Sequence, residues 1–137
     1  MTTGRSRPST APPSDPVPTI LIAEDDFQVL KVVERILRDA SYTTITARDG
    51  REAWNTFQKA AEPFDLVIAD VIMPHMTGTE LAARIAGRHP DLPLILMSGY
   101  APQELASRGL VLSHGHLLTK PFMHEDLLDL VRRLLPA

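Results

Sequence analysis

Five short apolar runs, each separated from the next by a longer stretch of different texture, constrain this chain more than any other feature. The runs are TILIAED, TTITA, FDLVIAD, LPLILMS and HLLTK. Between them, Val29, Val33, Ile36, Leu37 and Ala40 recur at helical spacing, as do Ala53, Phe57 and Ala60, and then Leu81 and Ile85. A last stripe holds Leu127, Leu130, Val131, Leu134 and Leu135. A strand such as LVIAD, apolar on both faces, must be covered on both, and right-handed crossovers place helices there. The expected architecture is therefore α/β, an open (βα)5 sandwich around a five-stranded parallel sheet. The segment 102–109 is the weakest helix, with Pro at its start and Gly at its end, and LVLSHG before the fifth run reads as irregular.

At 137 residues the chain suits one domain with one core. Residues 1–18 are rich in Pro, Ser and Thr and hold almost nothing to bury, so they are expected to form a disordered tail ahead of a folded domain at 19–137. A net charge of -3 gives no general attraction to nucleic acid or anionic lipid. No apolar run approaches the roughly 20 residues of a membrane span and no hydrophobic signal segment opens the chain, so the expectation is a cytoplasmic protein. With no cysteine, disulfides, thiolate metal sites and thiol nucleophiles are all excluded.

Ligands of open α/β sheets bind beyond the carboxyl ends of the strands. Here the first run ends in Glu24 and Asp25, the third in Asp70, the fourth in Ser98 and the fifth in Lys120 before Pro121. Crowded carboxylates repel by up to about 4 kcal/mol per pair at 4 Å and an effective dielectric near 20, which a divalent cation would relieve. An all-oxygen donor set suits Mg²⁺, or Mn²⁺, and Mg²⁺ commonly shares its sphere with a phosphoryl group. An Asp carboxylate can be the nucleophile in such chemistry, with Lys120 and a metal neutralising the phosphoryl oxygens and Ser98 donating to a third. Asp70, at a strand end, is expected to face solvent.

AEDD at 23–26, DVIMPHMTG at 70–78, MSGY at 97–100 and TKPF at 119–122 together resemble the receiver domain of two-component response regulators, over residues 19–135. The likeness extends to single-domain receivers and to those of hybrid kinases. It implies the flavodoxin-like strand order 2-1-3-4-5, with Asp70 as phosphoacceptor. Glu24 and Asp25 would be the acidic metal pair, the backbone carbonyl of Ile72 a further ligand, and Ser98 and Lys120 the phosphoryl binders. The implied donor is a phosphohistidine on a histidine kinase or a histidine phosphotransfer protein. The implied output is protein–protein contact with a downstream protein, or onward phosphotransfer. Such a domain promotes its own aspartyl phosphorylation and dephosphorylation without being an enzyme in the ordinary sense. Family members turn an aromatic side chain inward three residues before the Lys. Leu117 occupies that position here, so Tyr100, two residues after Ser98, is expected to be the moving aromatic.

Other residues have plainer readings. Asp26 is placed to cap the helix that follows. The HGH at 114–116 lacks a nearby third ligand and reads as exposed loop. Pro74 fixes φ in the loop after Asp70, Gly78 supplies flexibility where the next helix begins, and Arg132 and Arg133 suit a helix C-terminus. The competing function is a Mg²⁺-dependent phosphohydrolase working through an aspartyl phosphate. Enzymes of that kind resembling haloacid dehalogenases carry two Asp one residue apart, whereas Asp70 is followed by VIM.

Overall fold

The computed structural model describes residues 17–135; most of the segment expected to be a disordered tail, residues 1–16, lies outside them. Strands and helices alternate along the chain: β1 (Thr19–Ala23), α1 (Phe27–Asp39), β2 (Thr43–Ala47), α2 (Gly50–Lys59), β3 (Leu66–Asp70), α3 (Gly78–Arg88), β4 (Leu94–Ser98), α4 (Pro102–Ser107), β5 (His116–Thr119) and α5 (His124–Leu134). All neighbouring strands pair parallel, in the spatial order β2-β1-β3-β4-β5. This is the expected 2-1-3-4-5 arrangement.

Successive side chains of a strand point to opposite faces, and two separate cores follow from that period. Leu21, Ala23, Val67, Ala69, Leu94 and Leu96 meet Ala53 and Phe57 of α2, Leu81 and Ile85 of α3, and Leu105 of α4. Ile20, Ile22, Leu66, Ile68, Ile95 and Met97 meet Val33 and Leu37 of α1 and Leu127 and Val131 of α5. The sheet is therefore a partition with three helices on one side and two on the other. The helical stripes read from sequence bury as expected except at their margins: Ala60 is exposed because it caps the end of α2.

Three of the five described helix starts are set by short polar side chains. Asp26 accepts from the amides of Gln28 (3.0 Å) and Val29 (3.3 Å), Asp49 from Glu52 (2.8 Å) and Thr77 from Glu80 (3.1 Å). Asp26 is thus the cap it was expected to be. α4 runs for only six residues, with Pro102 opening it and Gly109, at φ 79°, following its end.

The loop after β3 is clamped. Val71 N–H donates to Met97 O (2.9 Å) and Gly78 N–H to Val71 O (2.7 Å), while Val71, Met73 and Met76 bury their side chains. Gly78 is required here for space, not for the flexibility expected of it. A Cβ at this position would collide with the carbonyl of Asp70 and press on the Cα of Val71. Gly87, exposed on α3, has open space around it.

These two glycines should respond oppositely to the same change. Gly78→Ala is expected to lower stability by about 1–3 kcal/mol, as overpacking does. Gly87→Ala should raise it by about 0.5–1 kcal/mol through helix propensity. Urea denaturation of both variants checks this, and equal effects would remove the steric account of Gly78.

Candidate functional site

The carboxyl edge of the sheet gathers one polar group from each of four neighbouring strand ends. Glu24 follows β1, its N–H donates to Ala47 O at the end of β2 (3.1 Å), and its side chain is buried. Asp70 is the last residue of β3. Lys120 follows β5, tied to the end of β4 by its N–H donating to Ser98 O (2.7 Å), and is joined to Pro121 by a cis peptide bond.

Lys120 Nζ lies 2.9 Å from Glu24 Oε1 and 3.2 Å from Asp70 Oδ1. The second oxygen of Glu24 accepts from the amide of Asp26 (3.1 Å). Oxygens of Glu24, Asp25 and Asp70 all lie within 4.8 Å of one another, and Asp25 is the exposed member. This is the cluster the strand-end argument anticipated. The expectation that Asp70 faces solvent is corrected: its side chain is only 13% exposed, because the clamped loop and Lys120 close over it.

Burial pushes the Glu24 carboxyl up to about 7, and the nearby Asp70 charge adds to the rise. The hydrogen bonds from Lys120 and the Asp26 amide pull the other way without cancelling it. Asp70 is likewise raised by burial, against the opposing charge of Lys120. Burial alone would lower Lys120, but its hydrogen bond to Glu24 and the charge of Asp70 outweigh that and hold it above the ordinary value. One cation thus serves two partly desolvated acids.

Ser98 is buried at the end of β4, beside β3, and its hydroxyl is engaged with the backbone of Tyr100. Oγ donates to Tyr100 O (3.0 Å) and accepts from Tyr100 N–H (2.9 Å). The Tyr100 ring packs on the α2–α4 side of the sheet, with the Arg108 guanidinium 4.2 Å from its centroid. Leu117 of β5 packs on that side too, and Ile72 is 41% exposed in the loop after Asp70. Among the described residues, His114 and His116 join no group of potential metal ligands.

Two contacts escaped the sequence reading. The Glu24–Lys120 pair spans 96 positions and has no local signature. Arg108 was passed over because its partner lies across a turn and a short helix.

The family model for the response regulator receiver domain matches residues 20–132. The chain is 33% identical over 118 residues to the response regulator receiver protein CpdR of Brucella abortus, covering 86% of this chain and 97% of that one. It is 32% identical to the sensor kinase CckA of the same organism, covering 85% of this chain but 12% of CckA. Among solved structures, the chemotaxis response regulator CheY4 of Vibrio cholerae superposes with a TM-score of 0.77 at 33% identity, over 88% of this chain and all of CheY4. The signal receiver domain of a histidine kinase from Syntrophus aciditrophicus gives 0.77 at 32% identity, over 86% of this chain and 89% of that one. Strand order, the acidic cluster beneath Lys120 and these matches agree: the chain belongs to the family of response regulator receiver domains of two-component systems.

Proposed function

We propose that this protein is a phosphorylation switch in which Asp70 takes a phosphoryl group from a phosphohistidine of a histidine kinase or histidine phosphotransfer protein. The observation that carries the proposal is the placement of Lys120 Nζ against both Asp70 and Glu24 at the edge of a three-carboxylate cluster. An Asp70 oxygen attacks phosphorus as the bond to the donor imidazole nitrogen breaks, and that imidazole leaves to pick up a proton. Lys120 then exchanges its contact with Asp70 for one with a phosphoryl oxygen, and Ser98 can donate to another. The all-oxygen donor set fits Mg²⁺: Glu24, Asp25, Asp70 and the carbonyl of Ile72 would hold it. When bound, it neutralises phosphoryl charge.

Output would pass by contact with a downstream protein or by onward phosphotransfer. The similar stretch within a protein named a sensor kinase supports a histidine kinase as partner. Among the described residues no helix is long and apolar enough to cross a membrane, which supports the cytoplasmic setting where such kinases present their phosphohistidine.

The first expected outcome concerns the acceptor. Asp70→Asn should fold with a cooperative transition and take up no phosphoryl group from acetyl phosphate and Mg²⁺, whereas the unaltered protein gains the mass of one. An adduct of undiminished yield in the variant would reject the assignment by intact-mass measurement.

The pH dependence follows from the acids. Glu24 binds its proton more tightly folded than unfolded, so the stability it contributes is present below about 4.5 and lost as pH rises towards about 7. Asp70, also raised, acts in the same direction. Metal-free protein should therefore lose stability across this window, and Mg²⁺ should restore progressively more as deprotonation frees the ligands. Urea titrations at pH 5 and 7.5, with Mg²⁺ and with a chelator, measure both trends. A Mg²⁺ effect larger at pH 5 would contradict the cluster as its site.

The phosphoryl group should also persist. The side chains expected to flank it, Ile72 and Tyr100, carry no amide or carboxylate to hold an attacking water in line. Loss of the adduct within seconds, with no phosphatase present, would overturn this.

A further inference from the structure

Arg108 has no part in the chemistry above, yet its guanidinium stacks over Tyr100 at 4.2 Å, closer than any other cation to an aromatic ring among the described residues. Tyr100 is in turn the residue that occupies the hydroxyl of Ser98. Both the donor proton of Ser98 and one of its lone pairs are spent on the Tyr100 backbone. A hydroxyl has one proton, so Ser98 cannot donate to a phosphoryl oxygen on Asp70 while it donates to Tyr100 O. The resting arrangement is therefore self-blocking at Ser98, and whatever holds Tyr100 in place holds the block.

Three features point to Arg108 as what does this holding. It closes α4, with its N–H donating to Glu104 O and Leu105 O, so its backbone is fixed relative to Leu105, which is fully buried in the α2–α4 core. Gly99, the only residue between Ser98 and Tyr100, is exposed with open space around it, so no neighbour packs against the turn at that position. The Tyr100 ring is only partly buried, so core packing alone does not fix it.

We infer that Arg108 is a positioning residue for phosphorylation, acting through the Tyr100 ring to keep the Ser98 hydroxyl turned from Asp70 until a phosphoryl group competes for it. The inference rests on the switch proposed above, and it deepens that reading by naming what sets the resting bias. A cation held over a ring at a partly exposed position is worth a factor of about two to five in such a balance.

The test measures binding of beryllofluoride, a phosphoryl mimic, in saturating Mg²⁺ by amide NMR, with the Tyr100 amide shift recorded before addition. Arg108→Ala should bind the mimic about two- to fivefold more tightly, and its unliganded Tyr100 amide should already lie towards the bound position. Arg108→Lys, which keeps the cation, should stay close to the unaltered protein. In a Tyr100→Ala background, Arg108→Ala should add nothing further.

Unchanged affinity and shift in Arg108→Ala would overturn the inference. So would Ala and Lys variants that shift alike, or an Arg108→Ala effect that survives in Tyr100→Ala. Failure of the underlying switch would look different. The unaltered protein would then bind no beryllofluoride, while a difference in the unliganded Tyr100 amide between Arg108→Ala and the unaltered protein, absent in Arg108→Lys, would still report on the latch.

Discussion

Lys120 sits between two carboxylates that burial pushes towards their protonated forms, and the site depends on that ammonium. Glu24 is fully enclosed, and an isolated charge in such a place is costly unless paired and hydrogen-bonded. The pairing is only partly sufficient, since Glu24 still titrates near neutrality. Under the switch proposed above, such an imperfectly neutralised cluster would leave the acids ready for a divalent cation and a phosphoryl group. The loop 71–77 is closed by the Gly78 N–H on Val71 O, and the absence of a Cβ at Gly78 leaves room for the Asp70 carbonyl.

Much of this was legible in advance, for identifiable reasons. Runs such as LVIAD and LILMS announce doubly covered strands, and doubly covered parallel strands leave few arrangements open. The strand ends could then be compared, and Glu24, Asp25, Asp70, Ser98 and Lys120 fell on one edge. Asp26 declared itself a cap by its position before the first helical stripe.

What remained hidden was distance-dependent. Nothing local in AEDD says that Glu24 buries fully while Asp25 stays in water. Glu24 is held by long-range contacts, its amide on Ala47 O at the end of β2 and its carboxylate on Lys120, that no local pattern announces. Gly78 was assigned flexibility because a sequence does not reveal which backbone passes within reach of a missing Cβ. The solvent exposure expected of Asp70 failed for a related cause, since strand ends are open only when the loops beyond them turn away.

The partition of the core into two layers has a mechanical implication. Tyr100, Leu105 and Leu117 all belong to the side covered by α2, α3 and α4, while α1 and α5 grip the opposite face through Ile20, Ile22, Ile68 and Met97. Rearrangement of the β4–α4 turn therefore draws on one layer alone. Under the proposed switch, a displacement at Ser98 would be felt first in the layer that holds Tyr100, with the α1–α5 layer as its support.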